Sequence, residues 1–329
     1  MERLVQKSFL RRFVISNLFL HQLPNAQQLF EIVADEKGLL PDIIEKDYWL
    51  MHCLWGIQQQ EYQFELKGGT SLSKGFGIIE RFSEDIDIQI HPNDECVKRG
   101  KNHDKPIQIE SRKKFFDNTA SNLNVSGLYF ERDPTFDDLS GKMRGAGIKA
   151  VYSSFFNGNE SLKSGVILEL GFDQTRPFMP CDITSWAYEK AKLLNLSIID
   201  NRAKDVRCYC PEYTFVEKLQ TISTKFRLEQ ENRIMPINFL RHYYDIYKLL
   251  ENERVQQFIG SDEYVEHKKL RFRGQDEIII QNNPAFTIEN VEIKNRYSNE
   301  FKKKSAIYFG KQPAFDEIIE RIQKNIDRL

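Results

Sequence analysis

Asp85 and Asp87 are the residues of this chain whose type and spacing most directly suggest chemistry. They stand in Asp85-Ile86-Asp87-Ile88-Gln89-Ile90, and a strand has a side-chain period of two. Both carboxylates therefore point to one face. Ile86, Ile88 and Ile90 point to the other, where they can enter a core. Two carboxylates with an apolar back form a platform for a hard divalent cation, since Mg²⁺ takes one or two carboxylates plus substrate phosphates. In two-metal sites the ions sit ~3.5–4 Å apart, a separation that an Asp-x-Asp pair can bridge. An isolated pair of this kind is also what a strand with a solvated acidic face looks like.

Upstream stands Gly68-Gly69-Thr70-Ser71. Two glycines after a strand let backbone N–H groups approach a phosphate, and a following helix adds its positive end. Thr70 and Ser71 can add hydroxyl donors, and Lys74 could face a phosphate. A tight strand–helix turn would need glycine as well. The pattern is not a Walker A loop, which requires G-x-x-x-x-G-K-[ST]. From Gly68 the sixth position is Ser73, followed by Lys74 and Gly75. Gly75-Phe76-Gly77 is too short for a dinucleotide fingerprint.

The elements that must position these groups follow from periodicity. The first 60 residues read as helical, with Ile43–Ile57 at helical spacing. Tyr62–Leu66, Asp85–Ile90, Met143–Phe156, Val166–Phe172 and Val206–Cys210 read as strands. Thr70 is the expected N-cap of a short helix to Lys74. Ser111–Leu123 and Trp186–Leu194 read as helices. After Pro211 the pattern is almost wholly helical: Tyr213–Leu228, Ile237–Leu250, Asp262–Phe272, Ile288–Ala306 and Ala314–Ile326. The expected class is α+β, with a mixed-sheet domain over 1–210 and a helical domain over 211–329.

The order strand, Gly-Gly-Thr, helix, Asp-x-Asp resembles the nucleotidyltransferase superfamily built on the polymerase-β-like fold. The string KGGTSLSKG…RFSEDIDI is similar to the AbiEii/AbiGii-type toxins of bacterial toxin–antitoxin and phage-defence systems. So are Glu45-Lys46-Asp47-Tyr48-Trp49, Phe215-Val216-Glu217-Lys218-Leu219, Arg241-His242-Tyr243-Tyr244-Asp245, and Tyr308-Phe309-Gly310 with Phe315–Ile319. The resemblance runs through nearly the whole chain. It implies transfer of a nucleoside monophosphate from an NTP, with a tRNA 3′ end as acceptor and an antitoxin as partner. It also implies two Mg²⁺ ions, or Mn²⁺, held by Asp85, Asp87 and Glu169, with Gly68, Gly69, Thr70, Ser71, Lys74 and Lys218 on the nucleotide.

Three of these residues carry signals of their own. Glu169 sits mid-strand in Val166–Phe172, on the face opposite Val166, Leu168, Leu170 and Phe172. A carboxylate inside such an apolar run is uncommon unless paired or metal-bound; pairing with a surface cation is the plain alternative. The resemblance gives it the role of third metal ligand or base. Lys218 falls at the edge of the stripe Phe215, Val216, Leu219, Ile222, Phe226, where snorkelling is the alternative to phosphate binding. Thr214 and Glu217 have capping-box spacing. Asp245 lies roughly opposite its helix's apolar stripe with Arg241 four residues earlier, so pattern alone predicts a surface ion pair. Only the resemblance makes Asp245 a catalytic residue. His242 reads as a helix-surface histidine.

Composition bounds the rest. Of 329 residues, 47 are Lys or Arg and 48 Asp or Glu, and 40% are hydrophobic. This excludes a disordered chain, and no apolar run approaches the ~20 residues that span a bilayer. Met1–Leu20 is amphipathic and lacks the marks of a signal peptide. Five cysteines, an odd count, fit a reducing compartment, so a cytoplasmic protein without membrane contact is expected. Cys208-x-Cys210 lacks zinc-site spacing. Residues 1–210 hold 27 basic and 29 acidic side chains and residues 211–329 hold 20 and 19. Any RNA contact must therefore come from local clusters, at 98–114, 268–273 and 294–304. The alternatives are the same chemistry on a small molecule or protein hydroxyl, and a non-catalytic nucleotide- or RNA-binding module.

Overall fold

The computed structural model describes residues 17–60, 62–92, 97–98, 103–156, 163–172, 175–272 and 274–329. Most of the Met1–Leu20 segment and part of the 98–114 cluster lie outside them. Helices α1 (Ala26–Lys37) and α2 (Pro41–Gln59) open the described chain. Gly38 ends α1 in the left-handed conformation, φ 64°, and its N–H closes on Ala34 and Asp35 carbonyls, as a helix C-terminus favours. Pro41 then starts α2 at the position where its missing N–H costs nothing.

Seven strands form one mixed sheet: β1 (Gln63–Lys67), β2 (Asp85–His91), β3 (Tyr129–Asp133), β4 (Gly145–Val151), β5 (Val166–Gly171), β6 (Phe178–Ile183) and β7 (Ala203–Tyr209). The order is β3-β4-β5-β2-β1-β7-β6. β2 lies in the middle, antiparallel to β1 and parallel to β5. Helices α3 (Pro106–Asn122) and α4 (Trp186–Leu193) complete this half. The two strands that periodicity misses, β3 and β6, are the two edges of the sheet. Edge strands need not alternate and tolerate charge and proline; β3 reads YFERD and β6 contains Pro180.

The rest is helical: α5 (Pro211–Asn232), α6 (Arg241–Leu249), α7 (Glu253–Phe258), α8 (Asp262–Arg271), α9 (Val291–Lys302) and α10 (Phe315–Asn325). α7 escapes the sequence reading because it is short. The Thr214–Glu217 capping box does not form. α5 begins earlier, at Pro211, so Thr214 is already inside the helix and its hydroxyl donates back to the Cys210 carbonyl at 3.2 Å. α9 starts at Val291 rather than Ile288, which has φ 38°, and Asn290 caps it.

Buried apolar side chains fall into two clusters. One contains Leu66, Ile86, Ile88, Leu168 and the α2 residues. The other contains Phe215, Leu219, Tyr243, Ile246 and Ile319, and it takes in Leu72 and Ile79 from between β1 and β2. The glycine turn is thus packed against the helical half. Among the described residues no helix is long and apolar enough to cross a membrane.

Candidate functional site

β2 and β5 run side by side with Asp87 level with Glu169 and Asp85 level with Ile167. Ile86 and Ile88 are sealed in the core, so Asp85, Asp87 and Glu169 share the opposite face. Burial, and then the charges of Asp87 and Asp85, push the Glu169 carboxyl up to about 8. A carboxylate set that repels itself in this way calls for a cation.

The glycine turn packs directly on this face. Gly68 has φ +70°, and a Cβ there would meet Asp87 Oδ2 at 2.1 Å. Only glycine satisfies both the backbone and the contact. A Cβ on Gly69 would meet Ser83 Oγ at 2.6 Å and Arg81 Nη2 at 3.0 Å.

Thr70 is not an N-cap. The chain turns helical at Gly68 and passes into a π-helical turn over Ser71–Gly75. The Thr70 hydroxyl is buried and donates to the Asp85 carbonyl at 2.6 Å, tying the turn to β2. The Ser71 hydroxyl donates to the Gly68 carbonyl at 3.0 Å. Lys74 is engaged elsewhere: its Nζ lies 2.6 Å from Asp47 Oδ1 and 3.9 Å from the Trp186 ring centroid. It lines a separate cavity of about 260 Å³ with Thr70, Ser83 and Phe309.

The surface pair expected of Asp245 and Arg241 does not exist. Asp245 is fully buried and accepts from Arg81 Nε and Nη2 at 2.7 and 2.8 Å. Lys218 Nζ sits 2.9 Å from the same carboxylate. Burial opposes ionisation of Asp245, but Arg81 and Lys218 overcome it and hold its carboxyl well below the usual range. Lys218 does not snorkel; it is buried and its ammonium is held inside the fold. His242 is buried too, between Lys218 Nζ at 3.4 Å and Lys225 Nζ at 3.2 Å. Burial and the surrounding cations Lys218, Lys225, Arg241 and Arg81 push it well below its normal pKa, so it stays neutral. The periodicity misled because both faces of α6 are covered, one by its own core and one by the sheet half.

Arg241 instead reaches the carboxylates, with Nη2 4.0 Å from Asp85 Oδ2. Lys163 Nζ lies 2.8 Å from both Asp85 oxygens. Burial, then Arg241 and Lys218, lower Lys225 to about 8, against the pull of Glu169. A carboxylate face on the sheet therefore looks onto a cationic face of α5 and α6. Sequence reasoning missed Arg81, Lys163, Lys225 and Arg241. Lys225 lies two helical turns after Lys218, a spacing that could have flagged it. Lys163 has no local signal.

The donor set fits Mg²⁺, being all carboxylate oxygen. Among the described residues, no three His, Cys, Asp or Glu side chains already converge as a cage; Asp85 is spent on Lys163. Beside Asp87 and Glu169 opens a polar cleft of about 760 Å³, walled by Lys67, Arg112, Phe136 and Arg144.

Some cations of the basic clusters are paired locally. Arg271 lies 3.4 Å from Glu217, Lys294 3.1 Å from Asp316, Arg296 2.6 Å from Glu229 and Lys303 2.6 Å from Glu300. Lys268 is buried against the Leu329 carbonyl, and Arg112 donates to the Lys142 and His103 carbonyls.

A family model described as nucleotidyl transferase AbiEii toxin, type IV TA system, matches residues 49–321. That span includes the glycine turn, the three carboxylates, Arg81, Lys218 and Asp245. No curated protein matches the chain.

Proposed function

The chain belongs to the AbiEii family of nucleotidyl transferase toxins of type IV toxin–antitoxin systems, and from that premise we propose that it moves an NMP from an NTP to the hydroxyl at an RNA 3′ end, a tRNA being the acceptor, with Asp85, Asp87 and Glu169 holding two Mg²⁺ ions. The family brings with it a nucleotide substrate and an antitoxin partner. The observation that carries the site assignment is the carboxylate face of β2 and β5 set against the cationic face of α5 and α6.

The acceptor oxygen forms a bond to the α-phosphorus, the bond from that phosphorus to the β-phosphate oxygen breaks, and pyrophosphate leaves with the electron pair. Bound Mg²⁺ would make the acceptor hydroxyl more acidic and offset triphosphate charge. Arg241 and Lys225, with the backbone at Gly69, receive the phosphates, and Lys218, while held by Asp245, adds its positive charge to that face; an ammonium serves as a point charge there. Glu169, level with Asp87 on the neighbouring strand, completes the carboxylate set or takes the acceptor's proton. The Thr70 hydroxyl serves by locking the glycine turn to β2, and Lys74 by fixing α2 to that turn. Asp245 acts through Arg81 and Lys218, as a positioning residue. Most of the barrier reduction is then positioning and electrostatics.

The cleft beside Asp87 and Glu169 is where an acceptor end has room to enter. Neither part of the chain is basic overall, so RNA contact would come from local clusters, and binding should be modest and salt-sensitive. The reading extends to a cytoplasmic setting and a role in phage defence.

The test is incubation with each labelled NTP, Mg²⁺ and total RNA. Label should appear in RNA, and Asp85→Asn and Asp87→Asn proteins should not transfer it. Label on a small molecule or protein in place of RNA would move the acceptor assignment, and transfer that survives both substitutions would overturn the metal site.

A further inference from the structure

Lys163 stands just before β5, and its ammonium donates to both carboxylate oxygens of Asp85, at 2.8 Å each. Three features hold it there. Its own N–H donates to Glu84 Oε2 at 3.0 Å. Lys46 Nζ donates to its carbonyl at 2.5 Å and lies 3.5 Å from Glu84. The Phe136 ring lies beneath the ammonium, 4.7 Å to the centroid. Glu84 directly precedes Asp85, so this latch pins the backbone of residue 163 to the start of β2. Neither backbone contact uses the Lys163 side chain. That side chain is 29% exposed, whereas the Asp85 side chain is 5% exposed.

We propose that Lys163 is a tethered counter-ion that competes with the divalent cation for Asp85 and gives way when the phosphates of a nucleotide take up its ammonium. The proposal rests on the reading of Asp85, Asp87 and Glu169 as the metal site.

The argument is one of exclusive occupancy. The two oxygens that accept from the ammonium are the two an incoming cation needs, and a tethered group competes at high effective concentration. Displacement leaves an ammonium beside Arg241, Lys225 and an added divalent charge, which is unfavourable without a new anion. A triphosphate is that anion. Metal and nucleotide then bind with positive coupling, and the coupling must be equal in both directions. The latch would keep the lysine close after it lets go.

The experiment measures Mn²⁺ binding by electron paramagnetic resonance, with and without the α,β-methylene triphosphates of the four bases. In the unaltered protein Mn²⁺ should bind weakly alone and about tenfold or more tightly with an analogue. Lys163→Met should tighten Mn²⁺ binding without nucleotide by about tenfold and shrink the nucleotide effect accordingly. Lys163→Arg, which keeps the charge, should behave like the unaltered protein. Mn²⁺ affinity that is unchanged or weaker in a folded Lys163→Met protein, judged by its circular dichroism and melting curve, overturns the proposal. Asp85→Asn separates the two readings. If it loses Mn²⁺ binding while Lys163→Met fails to gain any, only the counter-ion assignment falls. If it binds Mn²⁺ as the unaltered protein does, the metal site falls with it.

Discussion

Arg81 and Asp245 meet across 164 residues in a two-pronged ion pair, at 2.7 and 2.8 Å, with both side chains sealed from water. Arg81 lies just before the acidic strand and Asp245 on α6, so this pair joins the sheet half to the helical half. Lys218 completes it at 2.9 Å.

Removing the shared anion should be far worse than removing one cation. Asp245→Ala leaves two buried cations uncompensated and should cost about 3–5 kcal/mol in urea denaturation. Lys218→Met leaves the Arg81–Asp245 pair intact and should change stability by only about 1 kcal/mol. The same Lys218→Met protein should lose nucleotide transfer by at least about 100-fold. Equal stability losses in the two proteins would contradict the assigned division of labour.

Gly68 and Gly77 offer a matched pair. Both have positive φ, +70° and +62°, but a Cβ on Gly77 meets nothing within 4 Å. Each alanine substitution should cost ~1–2 kcal/mol from the left-handed backbone alone. Only Gly68→Ala should displace the Asp87 carboxylate, and only it should abolish transfer. Retained activity in Gly68→Ala, at wild-type kcat/KM, would remove the turn from the site.

Asp87→Asn should separate function from stability. It takes away a charge that repels Glu169, so in EDTA the variant should be as stable as the parent or more so, by up to ~1 kcal/mol. It should lose transfer and also lose the rise in melting temperature that Mg²⁺ gives the parent. A variant that melts lower in EDTA and still gains from Mg²⁺ would show that Asp87 carries no metal.

Acid should destabilise the protein through His52. Burial lowers this histidine to about 4. Its Nε2 lies 2.9 Å from the Ser126 carbonyl and its Nδ1 2.9 Å from Asn201 Nδ2, which suits the neutral ring with Nε2–H donating. Between about pH 6.5 and 4 the unfolded chain binds a proton there that the folded one does not. Stability therefore rises with pH across that window and is lost as pH falls. From pH 6.5 to 5 the loss is about 2 kcal/mol. His21, lowered to about 4 by burial and His52, acts in the same direction. Denaturation curves at pH 7 and 5 should show a smaller drop for His52→Gln than for the parent; an unchanged drop would contradict the assignment.

The chemistry-bearing face of β2 was legible because a strand's period of two is a local property. Asp85 and Asp87 face one way and Ile86 and Ile88 the other, whatever the strand is paired with. The glycines were legible for the same reason, as a turn that no side chain can occupy. The α+β class followed from where the patterns change, and the missed strands are edges, where alternation is not enforced. What local pattern could not supply is who faces whom. It put Asp245 and His242 on the surface because α6 has one strongly apolar stripe, yet the sheet half covers its other side. It let Lys74 face a phosphate because the lysine follows the turn, yet Asp47, on α2, claims it. It gave no hint of Lys163, whose meeting with Asp85 depends on β5 running beside β2. Charges are long-range partners and their pairing is set by topology, so the carboxylates belonged to the sequence and their cations to the tertiary structure.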